Sequence, residues 1–215
     1  MDSVIDMSVA RALVSDAVLW PRVKAFLWDF APQIHASWMA DLDDVARFMS
    51  SPRAKRYVLD KLGISPVFHT FPKDDWSRIA LLDGETLLSM AKWLGAIACA
   101  DALRSITKGA EVRALKAGLT GVYPDVFAFM AYFRGLSLPH KQDDSLNADV
   151  VLSVGVEILF SCLHSLDDAL VKRVALKLPK SLFDACNCGK KSDDVIKCLK
   201  KLLKLKFPEA YKLCC

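Results

Sequence analysis

The stretch Gly84-Glu-Thr-Leu-Leu-Ser-Met-Ala-Lys-Trp-Leu-Gly-Ala-Ile-Ala-Cys-Ala-Asp-Ala-Leu-Arg104 decides the fold class. The pair Asp83-Gly84 ahead of it would also suit a hairpin turn. The run from Glu85 to Leu103 is too long and too rich in Ala and Leu for a strand, so it reads as the longest helix, continuing to about Arg104. Lys92 and Asp101 interrupt or bound its apolar part, and Glu157 interrupts a second apolar stretch, Val150 to Leu163. Both fall short of the ~20 apolar residues that span a bilayer. They read as central buried helices.

Working outward, helix start and stop signals recur. Ser51 caps, Pro52 opens the first turn and Gly63 stops a helix near 52–62. Asp-Asp occurs at 43–44, 74–75, 143–144, 167–168 and 193–194, each time just ahead of an apolar run with helical spacing. Carboxylates there oppose the positive end of the helix dipole, which favours capping over acid–base chemistry. Further helices are expected near 6–20, 22–30, 43–50, 75–82, 110–119, 125–134, 147–164, 167–178 and 193–206. No β-branched alternation lasts six residues. The expected fold is all-α, an irregular multi-helix bundle of about nine to ten helices with no significant β-sheet.

The composition agrees with that reading. The 215 residues are 53% apolar and 25% charged, enough to bury a core, and only 9 Gly and 9 Pro disfavour a turn-dense sandwich. One helical domain over 1–215 is expected, with a subdivision into 1–72, 73–134 and 146–215. The segment Gly135 to Ser145 reads as a linker or long loop, and Gly63 to Pro72 as a second loop. All five Trp lie in the first 93 residues. Trp93, inside an apolar helix, is expected in the core, and Trp38 is expected to be exposed or to line a groove.

The net charge of +4 hides an asymmetry. Val171 to Cys215 carries 12 Lys/Arg against 4 Asp/Glu, leaving 17 against 21 in the rest of the chain. In the helix from Val195 to Phe207, Val195, Ile196, Leu199, Leu202 and Leu203 share one face, and Lys197, Lys200, Lys201 and Lys204 cluster on another. Such a helix can lie on anionic lipid, dock an acidic partner or simply cover the core. It lacks interleaved aromatics, and no nucleic-acid partner is expected.

There is no phosphate-binding loop, dinucleotide fingerprint, H-E-x-x-H or nucleophile elbow. Cys186, Cys188, Cys198, Cys214 and Cys215 have poor zinc spacing, and Cys162 and His164 would point to different sides of a helix. His35, His69 and His140 stand at no telling interval from an acid or thiol. Cys99 and Cys162 read as small hydrophobes. No enzyme, cofactor, metal or small-molecule substrate is expected. The acidic start Met1-Asp2-Ser3 and seven Cys suggest a reducing cytoplasm.

The run from Arg78 through Leu-Leu, Leu94-Gly95-Ala96 and Leu103-Arg104 to Val112-Arg113-Ala114-Leu115 resembles the central block of the SctK family, the YscK/PscK-like accessory proteins of bacterial type III secretion. Upstream, His35-Ala36-Ser37-Trp38-Met39 is similar to that family's His-Pro-Ser-Trp-Leu element, with Ala36 and Met39 departing from it. The resemblance covers roughly 33–125. It implies an all-helical, non-catalytic adaptor of the cytosolic sorting platform, at the cytosolic face of the bacterial inner membrane with the injectisome. Such an adaptor links the SctD-like inner-membrane ring subunit, through its cytoplasmic domain, to the SctQ-like pod, and indirectly to the SctL–SctN ATPase assembly. Arg104, Glu111, Arg113 and Lys116 are candidate contact residues; simple solvation of the same side chains is the competing reading. The alternative function is a peripheral protein that binds an anionic membrane or acidic partner through the Lys-rich C-terminal helix.

Overall fold

The computed structural model describes residues 17–40, 42, 51–64, 75–133, 146–163, 166, 168–184 and 193–215. Among the described residues there are twelve α-helices, three 3-10 helices and no strand, so the fold is all-α. The expected helix 43–50 and the loop 135–145 lie outside the described residues, as do most of helix 6–20 and of the loop after Gly63. His69, His140, His164, Cys186 and Cys188 lie outside them too.

The chain forms two compact units, each discontinuous in sequence. The first takes Met1–Gly84, Leu166–Lys180 and Lys212–Cys215; the second takes Glu85–Ser165 and Ser181–Tyr211.

In the first unit, α1 (Leu19–Trp28) buries Leu19, Val23 and Phe26. A 3-10 turn at Ala31–Gln33 leads to the short α2 (Ala36–Met39), which hydropathy alone does not signal. Helix α3 (Pro52–Lys61) starts as expected: Ser51 Oγ accepts from Ala54 N at 3.1 Å and Pro52 fills the first turn. It ends at Gly63, whose φ of 62° a side chain would strain. Asp75–Leu81 is a 3-10 helix. Asp168–Ala175 forms a helix, labelled α9 below in chain order, and packs on that 3-10 segment.

In the second unit, the stretch that decides the fold class is helical but not continuous. Helix α4 (Gly84–Ala98) ends at Cys99, whose ψ of 10° leaves the helical range, and α5 (Ala100–Ser105) restarts. Cys99 N bonds Gly95 O and Leu103 N bonds Cys99 O, so Cys99 takes part in a helical hydrogen bond on each side of the break. Helix α6 (Gly109–Gly118) follows, then α7 (Val126–Phe129), which tightens into a 3-10 turn at Met130–Phe133. The longest described helix is therefore α8 (Ala148–Leu163), 16 residues against 15 for α4. Asn147 Oδ1 accepts from the Asp149 and Val150 amides and opens it. Helix α8 is buried nearly all round, and α11 (Asp193–Lys206) packs on it.

Two short helices were not expected, α10 (Lys180–Asp184) and α12 (Pro208–Cys214). Pro208 in the first turn of α12 separates it from α11, because proline suits a helix start and not its interior. With α2, α5, α10 and α12 added, the helix count rises above nine or ten.

Helices α4 and α8 cross through their glycines. A Cβ built on Gly95 would overlap the Val151 carbonyl oxygen, and one on Gly155 would overlap that of Ala91. The backbones touch there, so any side chain at either position must drive the helices apart.

Candidate functional site

The His-Ala-Ser-Trp-Met element builds a clasp inside the first unit. His35 has an extended backbone (φ −62°, ψ 140°) and caps α2, its ring Nδ1 accepting from Ser37 N. Its Nδ1 also sits 2.8 Å from Ser37 Oγ. Three hydrogen bonds then tie this turn to the segment after α9. His35 N donates to Leu176 O at 2.7 Å, Trp38 Nε1 to Leu178 O at 2.9 Å, and Lys180 N to Ser37 Oγ at 2.9 Å. The Lys180 ammonium stands 5.8 Å over the Trp38 ring. Trp38, expected to be exposed or to line a groove, is not exposed: it is 7% exposed, and its indole N–H is satisfied by the Leu178 carbonyl. Trp93 is in the core as expected.

Beside the clasp lie two buried cations. Arg173 donates to Phe26 O and stacks over the rings of Phe26 and Phe30, at 5.1 and 4.9 Å. Lys177 Nζ donates to Ala80 O and Leu82 O, both at 2.7 Å, and lies 5.3 Å over Phe26. Gln33, Ile34 and Leu176 complete a small pocket around them. Burial lowers the Lys177 pKa to about 7; the Arg173 charge pushes the same way and Asp83 opposes. Burial also lowers Arg173 to about 10. These two cations belong to the basic C-terminal portion, which as a whole reads as a solvated face. The signal for the exception was local: Lys177 is flanked by Leu176 and Leu178 in an otherwise apolar segment.

In the second unit the other resemblance residues divide by role. Leu94, Leu103 and Leu115 are buried, Gly95 makes the helix crossing, and Val112 is half-buried. Arg104, Glu111, Arg113 and Lys116 are all exposed. Arg104 sits 3.7 Å from Asp101 and 5.5 Å over the Phe127 ring. Glu111 pairs with Lys108 at 3.2 Å. Helix α6 buries only Leu115, so most of its surface faces outward.

Helix α11 separates its faces as its spacing predicts, except that Ile196, expected on the apolar face, is only half-buried. Val195, Cys198, Leu199, Leu202 and Leu203 are buried; Lys197, Lys200, Lys201 and Lys204 are exposed. Lys201 Nζ donates to Tyr132 O at 3.1 Å. Lys206, which the sequence reading did not single out, lies 4.4 Å over Trp93 and 3.9 Å over Phe129 and pins the helix end to the core.

The thiols of Cys99, Cys162 and Cys198 are buried, and burial pushes their pKa values up to about 11, 12 and 12. Such thiols stay protonated and are poor nucleophiles or metal ligands. Among the described residues no group of three His, Cys, Asp or Glu side chains is placed to hold a metal ion, and no helix is long and apolar enough to cross a membrane.

The family model described as YOP proteins translocation protein K (YscK) matches residues 28–215, beyond the central block and through the cysteine-rich tail. No curated protein and no solved structure matches the chain. With nearly its whole length inside the family match, the chain belongs to the YscK family of type III secretion proteins.

Proposed function

We propose that this protein is a non-enzymatic adaptor of the type III secretion sorting platform. It links the cytoplasmic domain of the SctD-like inner-membrane ring subunit to the SctQ-like pod, and through the pod to the SctL–SctN ATPase assembly. Its place is the bacterial cytoplasm, at the cytosolic face of the inner membrane. The observation that carries this reading is the family match over 28–215.

The chemistry of the sites is compatible with it. The His, Ser and Trp of the shared element are spent on holding a turn to the chain, and the exposed charges of Arg104, Glu111, Arg113 and Lys116 are available for contact. The test is co-purification of the full chain with the SctD-like cytosolic domain and, separately, with the SctQ-like subunit. Retention of both supports the bridge, and retention of neither overturns it. Replacing Arg113 and Lys116 by Glu is expected to weaken one of the two contacts and leave the melting temperature nearly unchanged, because both are exposed.

A further inference from the structure

The outer face of α11 combines two features that the adaptor reading does not use. At about 100° per residue, Lys200, Lys204, Lys197, Lys201 and Leu205 follow one another round the helix in a single arc. Leu205 falls at one edge, next to Lys201, and Lys201 bonds the backbone of Tyr132. Tyr132 and Leu205 are both exposed, 55% and 38%, and among the described residues few large apolar side chains are. The basic stripe therefore ends at an exposed Leu205, and the Tyr132 backbone meets it at Lys201. Lys197 reaches Asp194 on its own helix at 3.5 Å and stays 65% exposed, a weak pairing that an incoming carboxylate can replace.

We propose that this face docks an acidic amphipathic segment of a partner polypeptide, with carboxylates along Lys197, Lys201 and Lys204 and an apolar side chain against Leu205. Charge complementarity names the sign of the partner, and the exposed Leu205 requires that it bring more than charge. A polypeptide fits better than a membrane for a geometric reason. An interfacial helix sinks its apolar face among the acyl chains. In α11 that face is already occupied, since Val195, Cys198, Leu199, Leu202 and Leu203 are buried in the second unit. What remains outside is a charged stripe with Leu205 at one edge, too little to insert. The inference stands on this surface and does not depend on which assembly the protein serves.

The test uses the full chain and labelled synthetic peptides of about 18 residues, read by fluorescence anisotropy. One peptide is an amphipathic helix with Glu along one face and Leu beside it; a second has the same charge with Ser in place of Leu; a third has Lys in place of Glu. Vesicles of phosphatidylglycerol and phosphatidylcholine form a separate arm. The Glu/Leu peptide is expected to bind about tenfold more tightly than the Glu/Ser peptide, with affinity falling as salt rises. The Lys peptide is expected not to bind. Lys197→Glu, Lys201→Glu and Lys204→Glu together are expected to lower the affinity at least about tenfold, and Leu205→Ser about threefold. Should the triple variant fail to fold, Lys204→Glu alone carries the charge test, with a circular dichroism melt as the control. Equal binding by the wild type and a folded charge variant overturns the proposal. So does equal binding of the Glu/Leu and Glu/Ser peptides, or vesicle binding without peptide binding.

Discussion

At the crossing of α4 and α8 two helices meet backbone to backbone, at Gly95 and Gly155. Around Trp38 a turn is held on Leu176–Lys180 by three hydrogen bonds, one from an indole N–H, one to a serine hydroxyl and one between backbones. Each region holds contacts that fix the fold, yet the physics differs. The crossing depends on the absence of atoms, so its tolerance is set by repulsion, which rises steeply. The clasp depends on donors and acceptors that water can partly replace, so its losses are graded. Substitutions in the two regions should therefore separate into all-or-none and incremental effects.

The sharpest break is Gly95→Val. Its side chain would meet the Val151 carbonyl and the Gly155 amide, both backbone, so neither can swing aside. The expected loss is about 3 kcal/mol or more, a large fraction of the total stability of a small protein. Urea denaturation followed by circular dichroism measures it. A loss below about 1 kcal/mol would mean that the helices separate without strain, which is outside the usual cost of overpacking.

The two regions were unequally legible in the sequence. Helix α8 and the first half of α4 follow from apolar runs that no strand pattern fits, and the start of α3 follows from Ser51 and Pro52, because these signals act over one or two turns. The break at Cys99 carries no Pro and no Gly, and a single residue's change of ψ leaves no mark in composition. The Gly95–Gly155 contact joins residues far apart in the chain, so one sequence shows the glycines without their pairing. The burial of Trp38 was missed for the same reason: its partner, Leu178 O, is 140 residues away. Lys177 was missed because charge was summed over the whole C-terminal portion, where one buried cation vanishes among exposed ones. The exposed face of α11 was legible because amphipathic spacing states which side faces out.

A middle-sized effect comes from Lys177, where burial and hydrogen bonding compete. Its pKa in the folded protein is about 7, below the ordinary 10.5. Between those values the unfolded chain binds the proton and the folded one does not, so stability rises with pH across that window and the full penalty is present below pH 7. From about pH 8 upward the buried thiols act in the opposite direction. Cys99, Cys162 and Cys198 stay protonated to about 11 or 12 when folded, while in the unfolded chain they ionise around 9. Lys177 alone should therefore raise stability by about 2 kcal/mol from pH 7 to pH 9, at about 1.4 kcal/mol per pKa unit; the thiols, half ionised at pH 9 in the unfolded chain, take back about 1 kcal/mol of this, and stability falls beyond. Lys177→Met removes the climb; it also leaves the Ala80 and Leu82 carbonyls without that donor, at a cost of about 1–3 kcal/mol. Denaturation midpoints of both proteins at pH 7 and pH 9 separate the two contributions. A flat wild-type profile would show that the ammonium keeps its charge inside the first unit.

The smallest effect resolves the clasp itself. Trp38→Phe keeps most of the ring and deletes the N–H, leaving the buried Leu178 carbonyl short of a donor, for a loss of about 2 kcal/mol. Ser37→Ala deletes the acceptor of Lys180 N and the partner of His35 Nδ1, but Ser37 is exposed and water can take its place. Its loss should be about 0.5–1 kcal/mol. The order of the two, read as shifts in the urea midpoint at constant slope, tests whether burial sets the strength of each bond. If Ser37→Ala costs as much as Trp38→Phe, the serine must be holding more than one amide. The short helix α2, whose cap is the His35 ring that Ser37 contacts, would then depend on it as a unit, and the far-ultraviolet signal of the variant should fall with its stability.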